Sequence, residues 1–191
     1  GILAIYISKS SSLNDFVIGT PILNRSNFKE KHTVGMFISV VPFKVSLDYN
    51  NSFIQFASTI SRDFFSIFKH QKYSYQDLLE DLRSKDSSIP NLYKLLISYQ
   101  NVRSNKQSSD VLYDSRWIGN NNISDDINIH LYDMNDTGSL SMAYDYLLSK
   151  YTIDDICLIH ARLLHIINQI LENNEIKLKD IEIVTPDELN K

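Results

Sequence analysis

The sequence has a single cysteine among 191 residues. That excludes an internal disulfide and any zinc site built from several thiolates. Glycine (5) and proline (4) are scarce, so the chain is neither a linker nor a low-complexity segment. It also lacks an excess of positive charge. Lys and Arg number 19 against 23 Asp and Glu, a net charge of −4, which excludes binding to nucleic acid or to an anionic membrane by charge alone. No apolar run reaches the roughly 18 residues of a membrane span. The opening Gly1-Ile2-Leu3-Ala4-Ile5-Tyr6-Ile7 has no basic flank and breaks at Ser8-Lys9, so it is not a signal peptide. It reads as a helix entered midway, in a piece of a longer cytoplasmic protein.

Self-contained catalytic motifs are missing too. There is no G-x-S-x-G elbow, no G-x-x-x-x-G-K-[ST] loop and no G-x-G-x-x-G turn. None of the five histidines sits in an H-x-x-x-H or H-E-x-x-H pair. His160 and His165 are about 140° apart around a helix and cannot share a metal ion. His160 reads as a hydrogen-bonded core histidine, Cys157 as a small core residue, and His130 as an exposed residue on the polar face of a strand. The acidic pairs Asp125-Asp126, Asp154-Asp155 and Glu80-Asp81 read as solvated or helix-start residues.

What is present is strong periodicity. Residues 2–12 form a helix. Asp15 to Ile22 reads as a strand that Gly19 and Pro21 bring to an end, with a loop through Asn24-Arg25-Ser26. Gly35 to Leu47 is the longest strand candidate. Met36 to Val41 suit coverage on both faces, and Phe43, Val45 and Leu47 alternate with polar residues. Pro42 demands an edge or a bulge. Ser52 to His70 is a helix with Phe53, Phe56, Ala57, Ile60, Phe64, Ile67 and Phe68 on one stripe. Ser74-x-x-Asp77 opens a shorter helix. Strands follow at 93–100, 111–118, 127–132 and 139–146, with a hairpin turn at Asn135-Asp136-Thr137-Gly138. The last helix runs from Ile153 to Glu172. Its stripe is Ile153, Ile156, Cys157, His160, Leu163, Leu164, Ile167, Ile170 and Leu171. This order predicts an α+β fold, a mixed and mainly antiparallel sheet with helices packed on it.

Three stretches in order carry a family resemblance. Asp15-Phe16-Val17-Ile18-Gly19-Thr20-Pro21-Ile22-Leu23-Asn24-Arg25 resembles "D-V-V-I-G-T-P-x-x-N-R" of condensation domains in nonribosomal peptide synthetases. Val34-Gly35-Met36-Phe37-Ile38-Ser39-Val40-Val41-Pro42-Phe43-Lys44 resembles their "I-G-x-F-V-N-T-x-P-x-R". His70-Gln71-Lys72-Tyr73-Ser74-Tyr75-Gln76-Asp77-Leu78 resembles "H-Q-x-x-P-F-E-x-L". Ser39 stands in place of Asn, Lys44 in place of Arg with loss of its bidentate fork, and Ser74-Tyr75-Gln76 in place of Pro-Phe-Glu. The motif "R-D-x-S-R-N-P-L" survives only in outline between Arg83 and Leu92. The family's catalytic H-H-x-x-x-D-G has no counterpart, since no His-His and no Asp-Gly dipeptide occurs.

The resemblance implies one lobe, the C-terminal one, of the two-lobed chloramphenicol acetyltransferase-like fold. Residues 1–178 would form it, and 179–191 would begin a linker toward an adenylation domain. Such a domain acts in peptide antibiotic biosynthesis as an amide-bond-forming acyltransferase. Donor and acceptor carrier proteins present thioesters on phosphopantetheine arms, and no cofactor or metal is bound directly. Gly35, Met36, Phe37, Ser39 and Val41 would line the substrate tunnel. Pro21, Asn24 and Arg25 would form a floor loop, and a latch onto the N-terminal lobe would follow Asn101. No catalytic residue would lie in this chain, and alone it would be inactive. The alternative is a non-catalytic module that docks carrier or tailoring proteins. Epimerisation and heterocyclisation fit less well, because Gly35-Met36-Phe37-Ile38 matches neither G-W-F-T nor G-D-F-T. On physical grounds Gly35 permits close approach of a partner chain. Ser39 reads equally as a tunnel residue or as a backbone-bonded strand serine. Arg25 reads as a surface or inter-lobe ion pair, and His70 as a helix C-terminus histidine.

Overall fold

The structure, a computed structural model, describes residues 1–101, 122–133 and 139–190. The expected strand at 111–118, the hairpin turn at 135–138 and the latch after Asn101 lie outside the described residues.

Helix α1 (Ile2–Ser11) is followed by strand β1 (Asp15–Ile22), a short helix α2 (Phe28–Lys31) and strand β2 (Ser39–Ser46). Helix α3 (Phe53–Ile67) ends in a 3-10 turn, Phe68–His70, and helix α4 is Tyr75–Lys85. Strands β3 (Leu95–Gln100), β4 (Ile127–Tyr132) and β5 (Ser141–Tyr146) precede helix α5 (Ile153–Glu172). A 3-10 turn, Leu178–Asp180, and helix α6 (Pro186–Leu189) close the described chain.

Helix starts follow local chemistry. The Ser52 hydroxyl caps α3 and the Gln55 side chain returns the bond; Thr152 and Asp155 do the same for α5. Each such cap contributes roughly 1 kcal/mol. Ser74 accepts from Asp77 N–H at the start of α4.

The five strands form one mixed sheet in the order β2-β1-β3-β4-β5. The outer pairs β1–β2 and β4–β5 are antiparallel, and the inner pairs β1–β3 and β3–β4 are parallel. Two apolar clusters cover the same face. In the first, Ala4 and Ile5 of α1, Phe56 of α3 and Ile166 of α5 pack on Ile18, Phe43 and Val45. In the second, Leu3, Ile156 and Leu163 pack on Ile127 and Ile129. Helix α1 joins the two. Tyr93 lies against Gly19, and its ring meets that of Tyr75 on α4 at 5.1 Å.

Several expectations change. Strand β1 does not stop at Gly19 or Pro21. Its ladder runs on to Ile22, which pairs with Ser39. Strand β2 begins only at Ser39, because β1 offers no partner beyond Ile22 and Gly35 has a φ of +152°. Coverage of 36–41 on both faces is therefore wrong: Met36 and Ile38 are exposed. Pro42 sits on an edge strand, as its missing N–H requires.

On α5 the buried arc is Ile156, Leu163, Ile166 and Ile170. Ile166 lies off the expected stripe, while Ile153, Cys157, Leu164 and Leu171, all on that stripe, are exposed. The sequence pattern admits both arcs, and contact with α1 selects between them. His160 is half-buried and its Nδ1 lies 2.9 Å from the Tyr144 hydroxyl. His130 is also half-buried rather than exposed, with Nε2 at 3.2 Å from Asp145.

The tail packs on the lobe. Ile181 is fully buried, and Arg162 of α5 holds Glu188 of α6 through two nitrogens, at 3.2 and 2.6 Å. No helix among the described residues is long and apolar enough to cross a membrane.

Candidate functional site

The three motif stretches are distant in sequence but converge at the C-terminal end of β1. Arg25 is the hub. Its guanidinium donates to the carbonyls of Glu30, Thr33 (2.7 Å) and Gly35 (2.9 Å). It also stacks on the Phe37 ring, 4.0 Å from the centroid. The planar fork with five donors is what allows one side chain to hold three main-chain acceptors. The surface ion pair expected for Arg25 is not formed among the described residues; Arg25 clamps its own segment.

Glu30 is the second element. It enters the segment through α2, whose N-cap Asn27 accepts from Glu30 N–H at 2.9 Å. One carboxylate oxygen accepts from the Ser26 N–H (2.7 Å) and hydroxyl (3.1 Å). The other accepts from Lys72 at 3.0 Å. The Ser26 N–H, and after it Lys72, hold the Glu30 carboxyl down at about 2.

Lys72 brings in the third stretch. It follows the 3-10 turn that ends at His70 and also donates to the Asn24 carbonyl at 2.9 Å. Asn24 takes a left-handed φ of 50°. Its Oδ1 is buried with no partner among the described residues. His70 closes the turn and is exposed, in keeping with a helix C-terminus role.

The outcome for the expected site residues is uneven. Arg25 links the floor-loop group to Gly35 and Phe37, so those two groups form one surface. Val34 (100% exposed), Met36 (92%) and Phe28 (77%) project from it into solvent, beside Leu23 and Ile38. Pro21 and Ser39 are half-buried in the β1–β2 ladder. Val41 instead turns into the core, paired with Thr20. Glu30 and Lys72 do not stand out in the sequence as site residues. The pattern Asn27-x-x-Glu30 is a helix-start signature that could have flagged Glu30. Lys72 carries no local signal, because its partners lie more than 40 residues away.

Among the described residues no group of three or more His, Cys, Asp or Glu is placed to hold a metal ion. The sheet order, the helices on one face and the clamped loop at the end of β1 define one lobe of the chloramphenicol acetyltransferase-like fold.

The chain belongs to the condensation-domain family, whose sequence profile matches residues 1–191. It is 31% identical over 190 residues to surfactin synthase subunit 1 of Bacillus subtilis (strain 168), covering 100% of this chain and 5% of that protein. Gramicidin S synthase 2 of Brevibacillus brevis is 24% identical over 186 residues, or 96% of this chain and 4% of that one. Among solved structures, a holo four-domain nonribosomal peptide synthetase bound to AMP and glycine superposes with a TM-score of 0.83 at 17% identity, over 97% of this chain and 15% of that one. The first condensation domain of the CDA synthetase gives 0.73 at 14% identity, over 96% of this chain and 41% of that one. The chain therefore spans under half of a solved condensation domain and a small part of the curated synthetases.

Proposed function

We propose that this chain is the C-terminal lobe of a nonribosomal peptide synthetase condensation domain and supplies one wall of its acyl-transfer channel. In that reaction an acceptor amine on one carrier protein attacks the thioester carbonyl on another. A C–N bond forms, the C–S bond breaks, the amine loses a proton and the donor arm leaves as a thiol. The lobe's part is binding and positioning. The observation that carries this reading is the Arg25–Glu30–Lys72 network, which fixes the backbone from Asn24 to Phe37 while Val34 and Met36 project outward. An apolar, main-chain-braced surface suits an N-terminal lobe bearing H-H-x-x-x-D-G, with the channel between the two. Residues 179–191 would begin the connection toward an adenylation domain.

The test is reconstitution. The chain is mixed with the N-terminal condensation lobe of surfactin synthase subunit 1 and with loaded donor and acceptor carriers, and amide product is followed by mass spectrometry. Product is expected only with both lobes present. Met36→Asp should weaken lobe association at least tenfold while leaving the melting temperature of the isolated chain unchanged. Turnover by the chain alone would sink the proposal. A stable two-lobe complex that yields no amide would favour a docking module instead.

A further inference from the structure

We propose that the chain carries a second binding site, at the opposite end of the sheet from Arg25, and that it takes a linear aliphatic carboxylate. This inference does not rest on the channel reading. Strands β1 and β3 are parallel but share a single bridge, Gly19 to Leu96, whereas β1 and β2 pair along all of Asp15–Ile22. On the N-terminal side of that bridge the two strands make no ladder pairing, and a cleft lies between them. Phe16 and Val17 line one side of the gap, and Lys94 and Leu95 the other.

The resulting cleft holds about 650 Å³, within the roughly 300–1,000 Å³ typical of small-molecule sites. Leu3, Ile7 and Leu13 close it from the α1 side, and Ile159 from α5. An apolar lining of this extent, shared by β1, β3 and α1, suits an alkyl chain. It lies a strand's length from the clamped loop, roughly 20 Å from Phe16 to Ile22.

The head group follows from charge. Among the described residues only Lys94 and Asp126 bring charged side chains to the lining. Asp126 is already paired, accepting from Lys150 Nζ at 2.6 Å. Lys94 is exposed at the mouth, and no hydrogen bond or ion pair to its ammonium occurs among the described residues. An apolar slot with one unspent cation at its entrance is complementary to an anion on an aliphatic tail.

The 191-residue chain should be titrated calorimetrically with octanoate, decanoate and dodecanoate below their micellar concentrations. Affinity should rise about fourfold per methylene, the gain of burying each one. Lys94→Gln should weaken dodecanoate about twofold to fivefold, as an exposed ion pair would, and leave 1-octanol unchanged. A diazirine-bearing decanoate, photolysed on the wild-type chain, should label peptides containing Ile7, Val17 or Ile159. Absence of binding, no dependence on chain length, or labelling confined to other peptides would overturn the site. Equal affinity for the acid and its methyl ester, or no effect of Lys94→Gln, would overturn the carboxylate.

Discussion

Gly19→Ala is a sharp test of how the sheet is held together. The position allows a side chain as far as backbone is concerned, since its φ is not in the left-handed region. Space is what forbids it. A methyl group there would lie 2.6, 2.7 and 3.0 Å from three atoms of the Tyr93 ring, when carbon atoms rest about 3.5–4.0 Å apart. The ring must retreat by about 1 Å, and it is not free to do so. It packs on Tyr75, whose hydroxyl accepts from the Leu92 N–H at 3.0 Å. Overpacking of this kind costs about 1–3 kcal/mol. For a chain of this size that is a fall in melting temperature of roughly 2–12 °C. The effect also lands on Gly19–Leu96, the bridge that joins β1 to β3.

The assay is a double-mutant cycle by urea unfolding, with Gly19→Ala placed in the wild-type and Tyr93→Leu backgrounds. A coupling of about 1 kcal/mol or more is expected, because the leucine lacks the ring edge that clashes. A second readout is the Tyr93 phenol, which burial, and then Asp125, push up to about 12. In Gly19→Ala a ring displaced toward water should ionise at lower pH. An additive cycle, or an unchanged phenol titration, would refute the argument.

Other expectations follow from the core and the tail. Phe56→Ala removes a ring that is almost wholly buried between α3 and the sheet. It should cost about 3–5 kcal/mol in urea or thermal unfolding; a loss under about 1 kcal/mol would show that the first apolar cluster is misdescribed. Glu188 is held down at about 2 by hydrogen bonds from Arg162 and then from Thr185 N–H. A carboxyl depressed in the folded state stabilises above its unfolded value of about 4.3 and loses that contribution as pH falls toward 2. The melting-temperature gap between wild type and Glu188→Gln should therefore be constant near neutrality and close across that window, and a gap that persists at the acid end would contradict the pairing.

Where interactions are local, the sequence reads well. Ser74 announces a helix start that the structure confirms, Ser52 and Ile153 mark the starts of α3 and α5, and alternation at 127–132 and 139–146 finds the antiparallel β4–β5 pair, two residues long at its second strand's start. Failures occur where a distant partner decides. The edge of β2 depends on where β1 stops, and the buried side of α5 depends on α1. Cys157 and Ile166 exchange their expected environments for that reason. At the candidate site the motif residues are visible individually. Their assembly is not, because it runs through main-chain carbonyl groups. Every residue carries one, so the sequence does not distinguish the three that Arg25 selects. Arg25 thus reads as a surface ion pair when its partners are Glu30, Thr33 and Gly35 main-chain oxygens.

That choice of partners has a consequence for how such a surface can diversify. A clamp on carbonyl oxygens is indifferent to the side chains between them. Val34 and Met36 can be exchanged for other residues without releasing a single bond to Arg25. The loop can thus be rewritten at its tips while its path stays fixed. Arg25 itself is the one position in that exchange with no substitute, since lysine has neither the planar fork nor the reach to three acceptors at once.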